Sequence, residues 1–390
     1  MEKTRFDQII DRRNTGAEKW DALNAVFGAD DVLPLWVADM DFASPPAVAE
    51  ALQARAAHPV YGYHVRGDGY YAAAVDWLGR RHGWAVEKDW LSDVPGVVTA
   101  ISVAIQAFTQ PGDKVLIQPP VYPRFFSAVQ QNRRQLVTNP LRQDGQGYHI
   151  DFEHFEQAMA DGVKLVVLCS PHNPVGRVWT REELIRLGSI CLRHKALIIA
   201  DEIHADIVFK GHHHLPLAAL SPELAACTVT CIAPSKTFNV AGLATSLTVI
   251  ADPELRVRYN AALAALNLGE GNIFGNIALE AAYRHGGEWL DGLLEYLEDN
   301  ADFVVDFFRR HIPGIAVAKP EATYLAWLDC RSLGMTPADL KDFFVRQAKV
   351  GLSDGTRFGA EGFMRLNFGC PRPLLRQGLQ RIAAACNNRL

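Results

Sequence analysis

The sequence predicts an α/β fold, with a large domain built on a mostly parallel sheet covered by helices and a smaller α+β domain after it. Three observations carry this. The chain of 390 residues exceeds the usual size of one compact domain. From about residue 92 to 250, short apolar runs rich in Val and Ile alternate with helix-length segments. After about 280 that alternation stops, and a long helical stretch leads into isolated strand-like pieces.

The runs in the large domain are Lys114–Gln118, Leu136–Val137, Val163–Cys169, Ala196–Ala200, Cys227–Ala233 and Ser246–Ile250. Such near-continuous apolar strands suit a sheet buried on both faces. Between them, residues 180–194 read as a helix that Thr180 caps, with Glu183 three positions on completing a capping box. In the last part, 287–311 and 337–347 read as helices, and 315–318, 323–329 and 363–368 as strands. The expected organisation is an arm over 1–45 that joins the small lobe or a partner subunit, a large domain over 46–280 and a small domain over 281–390.

Composition excludes several function classes. The net charge is −5 and no basic cluster occurs, which argues against nucleic acid or an anionic membrane surface as partner. No run of about 18 apolar residues exists, and the polar opening stretch lacks a signal-peptide core. The seven cysteines are odd in number, scattered and without a CxxC, so they read as reduced thiols, and the expected location is the cytoplasm. His212, His213 and His214 read as a solvated loop, since adjacent residues cannot easily aim three imidazoles at one metal ion.

The chemistry concentrates at three predicted strand ends. SPHNPVGR (170–177) follows VKLVVLC, DEIH (201–204) follows ALIIA, and PSKTFN (234–239) follows TVTCIA. In an open α/β sheet, ligands bind outside the carboxyl ends of the strands. Asn173, Asp201 and Lys236 can therefore converge in one crevice although 28 and 35 residues separate them. Gly96 to Ala100 opens a further helix, whose N-terminus offers free N–H groups to an anion.

These segments resemble those of fold-type-I pyridoxal 5′-phosphate (PLP) enzymes, the aspartate aminotransferase superfamily. The nearest branch is the cystathionine β-lyase-like C–S lyases that share the aminotransferase class I/II fold. The likeness also covers KWD at 19–21, WVADMDF at 36–42, VYGYH at 60–64, GVVTA at 96–100, PPVYPRF at 119–125, APSKTFNVAGL at 233–243 and MRLNFG at 364–369.

The resemblance implies a role for each matching residue. Lys236 would form the Schiff base with PLP and act as general base, while Asp201 would hold the ring nitrogen protonated. Asn173 would bond the 3′ oxygen, and Tyr122 would stack on the ring unless it is a packed core tyrosine. His204 would support Asp201 or the ring, or be structural. Val98, Thr99 and Ser235 would hold the phosphate, and Tyr61 would reach it from the second subunit of a homodimer with shared sites. Arg365 would grip the substrate α-carboxylate with a bidentate fork, the alternative being a surface arginine on an edge strand. Trp36 and Asp39 would line the entrance.

The expected substrate is therefore a small amino acid, and the expected cofactor is PLP. Many aminotransferases of this fold carry an arginine eight residues after the lysine; here that position is Ala244, which favours β-elimination from cystathionine or another cysteine S-conjugate. An aminotransferase using the same residues, and a PLP-binding regulatory protein that acts through another protein, are the alternatives.

Overall fold

The structure is a computed structural model that describes residues 3–145 and 147–388. The first two residues of the expected arm and the last two of the expected small domain lie outside the described residues.

Seven strands form the main sheet, in the order Leu91–Val94, Ser246–Val249, Thr228–Ile232, Leu197–Asp201, Val163–Cys169, Lys114–Ile117 and Gln135–Thr138. Ser246–Val249 runs antiparallel to both its neighbours, and the other six strands share one direction. The apolar runs are continuous because both faces are covered. Leu165, Val167 and Ile199 pack with Ile101 and Ile105 on one side. Val166, Leu168, Ile198 and Ala200 pack with Leu184 and Leu187 on the other.

The helix Arg181–Arg193 carries the capping box expected of it. The Glu183 N–H donates to Thr180 Oγ1 at 3.2 Å, and the Thr180 N–H donates to Glu183 Oε2 at 2.9 Å. Two details of the sequence reading need correction. Cys227 ends the helix Pro222–Cys227 rather than starting the strand, because Ser221 and Pro222 open a short helix that consumes it. The edge strand Leu91–Val94 was not expected, since its Ser92 and Asp93 interrupt any apolar run.

A second sheet is antiparallel throughout, in the order Ala316–Val317, Leu325–Asp329, Phe363–Asn367, Ser353–Asp354. The helix Gly287–His311 precedes it, as the pattern predicts. The second expected helix runs as Pro337–Asp342 and then loosens into a wider turn over Phe343–Gln347. The stretch expected to form an arm, over 1–45, contains the short helices Glu18–Asp21 and Leu23–Phe27. Leu33–Pro34 then pairs with Val350–Gly351. Among the described residues no helix is long and apolar enough to cross a membrane. Six cysteines are free and buried, and Cys386 is half-buried.

Candidate active site

The register of the main sheet sets the site. Cys169 pairs with Asp201, and Asp201 with Cys231, so three neighbouring strands finish level. Strands in a sheet lie about 4.8 Å apart, so the segments leaving these ends are forced together. They deliver Asn173, Asp201 with His204, and Ser235 with Lys236. Tyr122 follows Lys114–Ile117 at the same edge, and the helix Val97–Phe108, bearing Val98 and Thr99 in its first turn, follows Leu91–Val94. This is the carboxyl edge, where open α/β sheets bind ligands.

Arg365 arrives from the other sheet. It lies on Phe363–Asn367, which has a strand on each side, so the edge-strand alternative is excluded. The side chain is buried. Its Nη1 donates to Asn173 Oδ1 at 3.0 Å, and its Nη2 donates to the Trp36 carbonyl at 3.0 Å and to Ser353 Oγ at 3.3 Å. A cleft of about 810 Å³ between these elements is lined by Trp36, Asp39, Tyr122, Lys236 and Arg365.

Its electrostatics are those of buried charges that the chain only partly compensates. Burial, aided by the charge of Arg365, pushes Lys236 down to about 8, although Asp39 and Asp201 act the other way. The Lys236 amine donates to the Ala38 carbonyl at 2.7 Å. Burial pushes Asp201 up to about 7; the Ile203 N–H, at 3.2 Å, and the charge of Lys236 offset only part of it. His204 is held neutral at about 3 by burial and by the charges of Lys236 and Arg365. Its ring lies edge-on to Tyr324, it makes no hydrogen bond to Asp201, and its Nδ1 has no partner. The Arg365 Nε is likewise buried and unpartnered, and burial lowers that guanidinium to about 10. Tyr122, half-buried at the start of the helix Pro123–Gln131, is raised by burial against the opposing charges of Arg365 and Arg124.

Tyr61 stands apart from the cleft. It is exposed, with its hydroxyl on the Ala56 carbonyl at 2.7 Å and its ring beside Phe274. Asp39 does line the cleft, but Arg12 holds its carboxylate at 2.7 Å. The histidine turn also departs from expectation. His214 is buried, with its Nε2 2.9 Å from Glu202 Oε2, because that carboxylate, buried behind the sheet end, needs a partner.

Several supporting residues lie in segments the sequence reading singled out but were given no role there. Ala38 contributes only its carbonyl, which accepts from Lys236 and from the Tyr324 hydroxyl. The Asn239 amide fastens the Met40–Phe42 backbone by accepting from the Met40 N–H and donating to the Met40 and Phe42 carbonyls. Lys19 is fully buried against Asp41 at 2.5 Å, and Arg12 bridges Asp39 and Asp41. The alternating acids of WVADMDF were the available signal, because two carboxylates entering a core require cations.

Known proteins agree with this architecture. The chain is 45% identical over 383 residues to "Cystathionine beta-lyase PatB" of Bacillus subtilis (strain 168), covering 97% of this chain and 99% of that one. It is 34% identical to "Protein MalY" of Escherichia coli (strain K12), covering 96% of each. The crystal structure of cystalysin from Treponema denticola, which contains a pyridoxal 5′-phosphate cofactor, superposes with a TM-score of 0.96 at 35% identity over 99% of both chains. The family described as aminotransferase class I and II matches residues 30–382. A match of that span, on a chain whose strand ends bring Asn173, Asp201 and Lys236 together, leaves one assignment: this protein belongs to the aminotransferase class I and II family.

Proposed function

We propose that this protein is a PLP-dependent carbon–sulfur β-lyase that converts cysteine thioethers, L-cystathionine among them, into a thiol, pyruvate and ammonia. The observation that carries it is the placement of Lys236 and the buried Asp201 at adjacent strand ends, where burial lowers the lysine and raises the aspartate. The near-full-length likeness to proteins named as cystathionine β-lyases favours elimination over transamination.

The residues fit the cofactor. Asp201 would hold the proton on the ring nitrogen and so acquire the positive partner its burial calls for. Asn173, with its oxygen committed to Arg365, keeps its NH₂ group as a donor to the 3′ oxygen. Val98 and Thr99 in the first turn of Val97–Phe108, with the Ser235 hydroxyl, would hold the phosphate. Tyr122 would cover the ring, and His204, neutral and unbonded to Asp201, would pack beside it. When bound, PLP supplies a carbonyl that links to amines and a ring that draws electrons from the substrate Cα.

The chain does the rest. Arg365 binds the α-carboxylate and fixes which substrate bond stands toward Lys236. At neutral pH burial leaves part of Lys236 as free amine, able to take the α-proton. Trp36 and Asp39 border the opening through which the thiol leaves. Ala244, in a left-handed turn eight residues after Lys236, adds no positive charge there. We further propose a cytoplasmic homodimer in which Tyr61 serves the partner's site; its exposure and distance from its own cleft support this. Given L-cystathionine and no 2-oxo acid, the holoenzyme should release pyruvate for many turnovers. One equivalent followed by arrest, relieved only by a 2-oxo acid, would make it an aminotransferase.

A further inference from the structure

The cleft has more charge at its mouth than the proposed chemistry uses. Arg124, Arg357 and Glu18 all line it, all are exposed, and none takes part in an ion pair among the described residues. The other guanidiniums of the cleft are committed. Arg12 is bound by Asp39 and Asp41, and Arg365 by Asn173, Trp36 and Ser353.

Arg124 and Arg357 also belong to one wall. The Val121 N–H donates to the Phe358 carbonyl at 3.0 Å. At Gly359 the backbone comes so close that an added Cβ would lie 3.1 Å from Pro119 and 3.2 Å from Phe126. The turn bearing Arg124 and the loop bearing Arg357 are thus packed together, and Phe358 lies under the Arg365 guanidinium at 4.8 Å. That wall runs from the residue proposed to hold the α-carboxylate out to two cations without an ion-pair partner among the described residues, Arg124 standing beside the Tyr122 hydroxyl. Glu18 supplies an anion without an ion-pair partner among the described residues, on the N-terminal segment at the same mouth.

Resting on the lyase reading, we propose that Arg124 and Arg357 form a distal subsite for a carboxylate carried by the departing thiol, with Glu18 receiving an ammonium on the same group. The preferred substrates are then thioethers whose second arm is itself an amino acid. S-alkyl cysteines react at the same Lys236 but forgo the subsite. Two guanidiniums on one carboxylate give charge-assisted hydrogen bonds, and their exposure keeps the gain modest.

The test compares L-cystathionine, S-(2-carboxyethyl)-L-cysteine and S-ethyl-L-cysteine on holoenzyme, scored as pyruvate release. The Arg124→Met/Arg357→Met double variant should lose about tenfold in kcat/KM for both carboxylate-bearing thioethers, mostly through KM. It should stay within about twofold of the parent for S-ethyl-L-cysteine. Glu18→Gln, which also removes a charge felt by Lys236, should weaken L-cystathionine several-fold more than the other two substrates, and added salt should shrink the parent's preference. Equal losses on all three substrates, or no loss on any, would overturn the subsite while leaving the lyase reading intact. No pyruvate from any of them would overturn both.

Discussion

Asp201 and Asp206 lie five residues apart, both are buried, and burial pushes both carboxyls upward, yet they end on opposite sides of the usual value. Asp201 reaches about 7. Asp206 is lowered, because His82 Nε2 at 2.8 Å, Thr237 Oγ1 at 2.7 Å and the charge of Arg81 overcome its burial, and Trp77 Nε1 donates to the same carboxylate at 3.1 Å. Glu202 sits with Asp206 on the satisfied side, bonded to His214 and to the Leu217 N–H. Successive residues at a strand end point to opposite faces, so one short segment turns Asp201 to the side of Lys236 and Glu202 away from it. On the Glu202 side the chain compensates its own buried charges. On the Lys236 side that compensation is left to a ligand. The two regions also touch, since Thr237, tied to Asp206, is the neighbour of Lys236.

The largest expected effect tests the cleft half of this contrast. Lys236→Ala should lower turnover by at least about a thousandfold, since it removes both the covalent link and the base, and no lysine should remain linked to the cofactor after borohydride reduction. The cofactor-stripped variant should be no less stable than the stripped parent, because a buried amine pushed down to about 8 adds nothing to folding. Peptide mapping that finds another lysine labelled, or a stripped variant that melts well below its parent, would break the assignment.

How much of this was legible beforehand follows the same division. Asn173, Asp201 and Lys236 were readable because each lies within four residues of the end of an apolar run, and parallel strands have one functional edge. The satisfied side was not. The apolar runs say nothing about where a returning turn will lie, so His214 looked solvated, although Glu202 draws it inward. His82 and Asp206 are 124 residues apart and share no local pattern. Arg365 was found only through resemblance, and its interior strand came from the fold. Ala38 acts through a carbonyl that every residue has.

Breaking the satisfied side should cost stability. Asp206→Ala strips His82, Thr237 and Trp77 of their shared acceptor in a buried setting, where leaving a buried donor unsatisfied costs about 1–3 kcal/mol. Denaturant unfolding of the stripped protein should show that loss, and Asp206→Asn should show less of it. A change under about 1 kcal/mol would mean that the network is ornamental and that Asp206 differs from Asp201 only in its titration.

Asp201→Asn carries the smallest expected changes and the sharpest discrimination, because its sign should depend on the cofactor. In the stripped protein the folded carboxyl, near 7, holds its proton more tightly than the unfolded one, near 3.8. Stability therefore falls as pH rises between those values, and the whole penalty is present above pH 7. Asparagine cannot ionise and escapes it. The stripped variant should match the parent near pH 4 and exceed it by about 2–4 kcal/mol at pH 8. In holoenzyme the order reverses, since a charge-assisted bond to the ring nitrogen is worth about 1.5–3 kcal/mol and asparagine forfeits its charge. Turnover should then drop at least about tenfold with the cofactor still bound. Denaturant curves at pH 4 and pH 8, with and without PLP, measure both arms. A stripped variant less stable than its parent at pH 8 would show that the chain already satisfies Asp201, and the contrast with Asp206 would be lost.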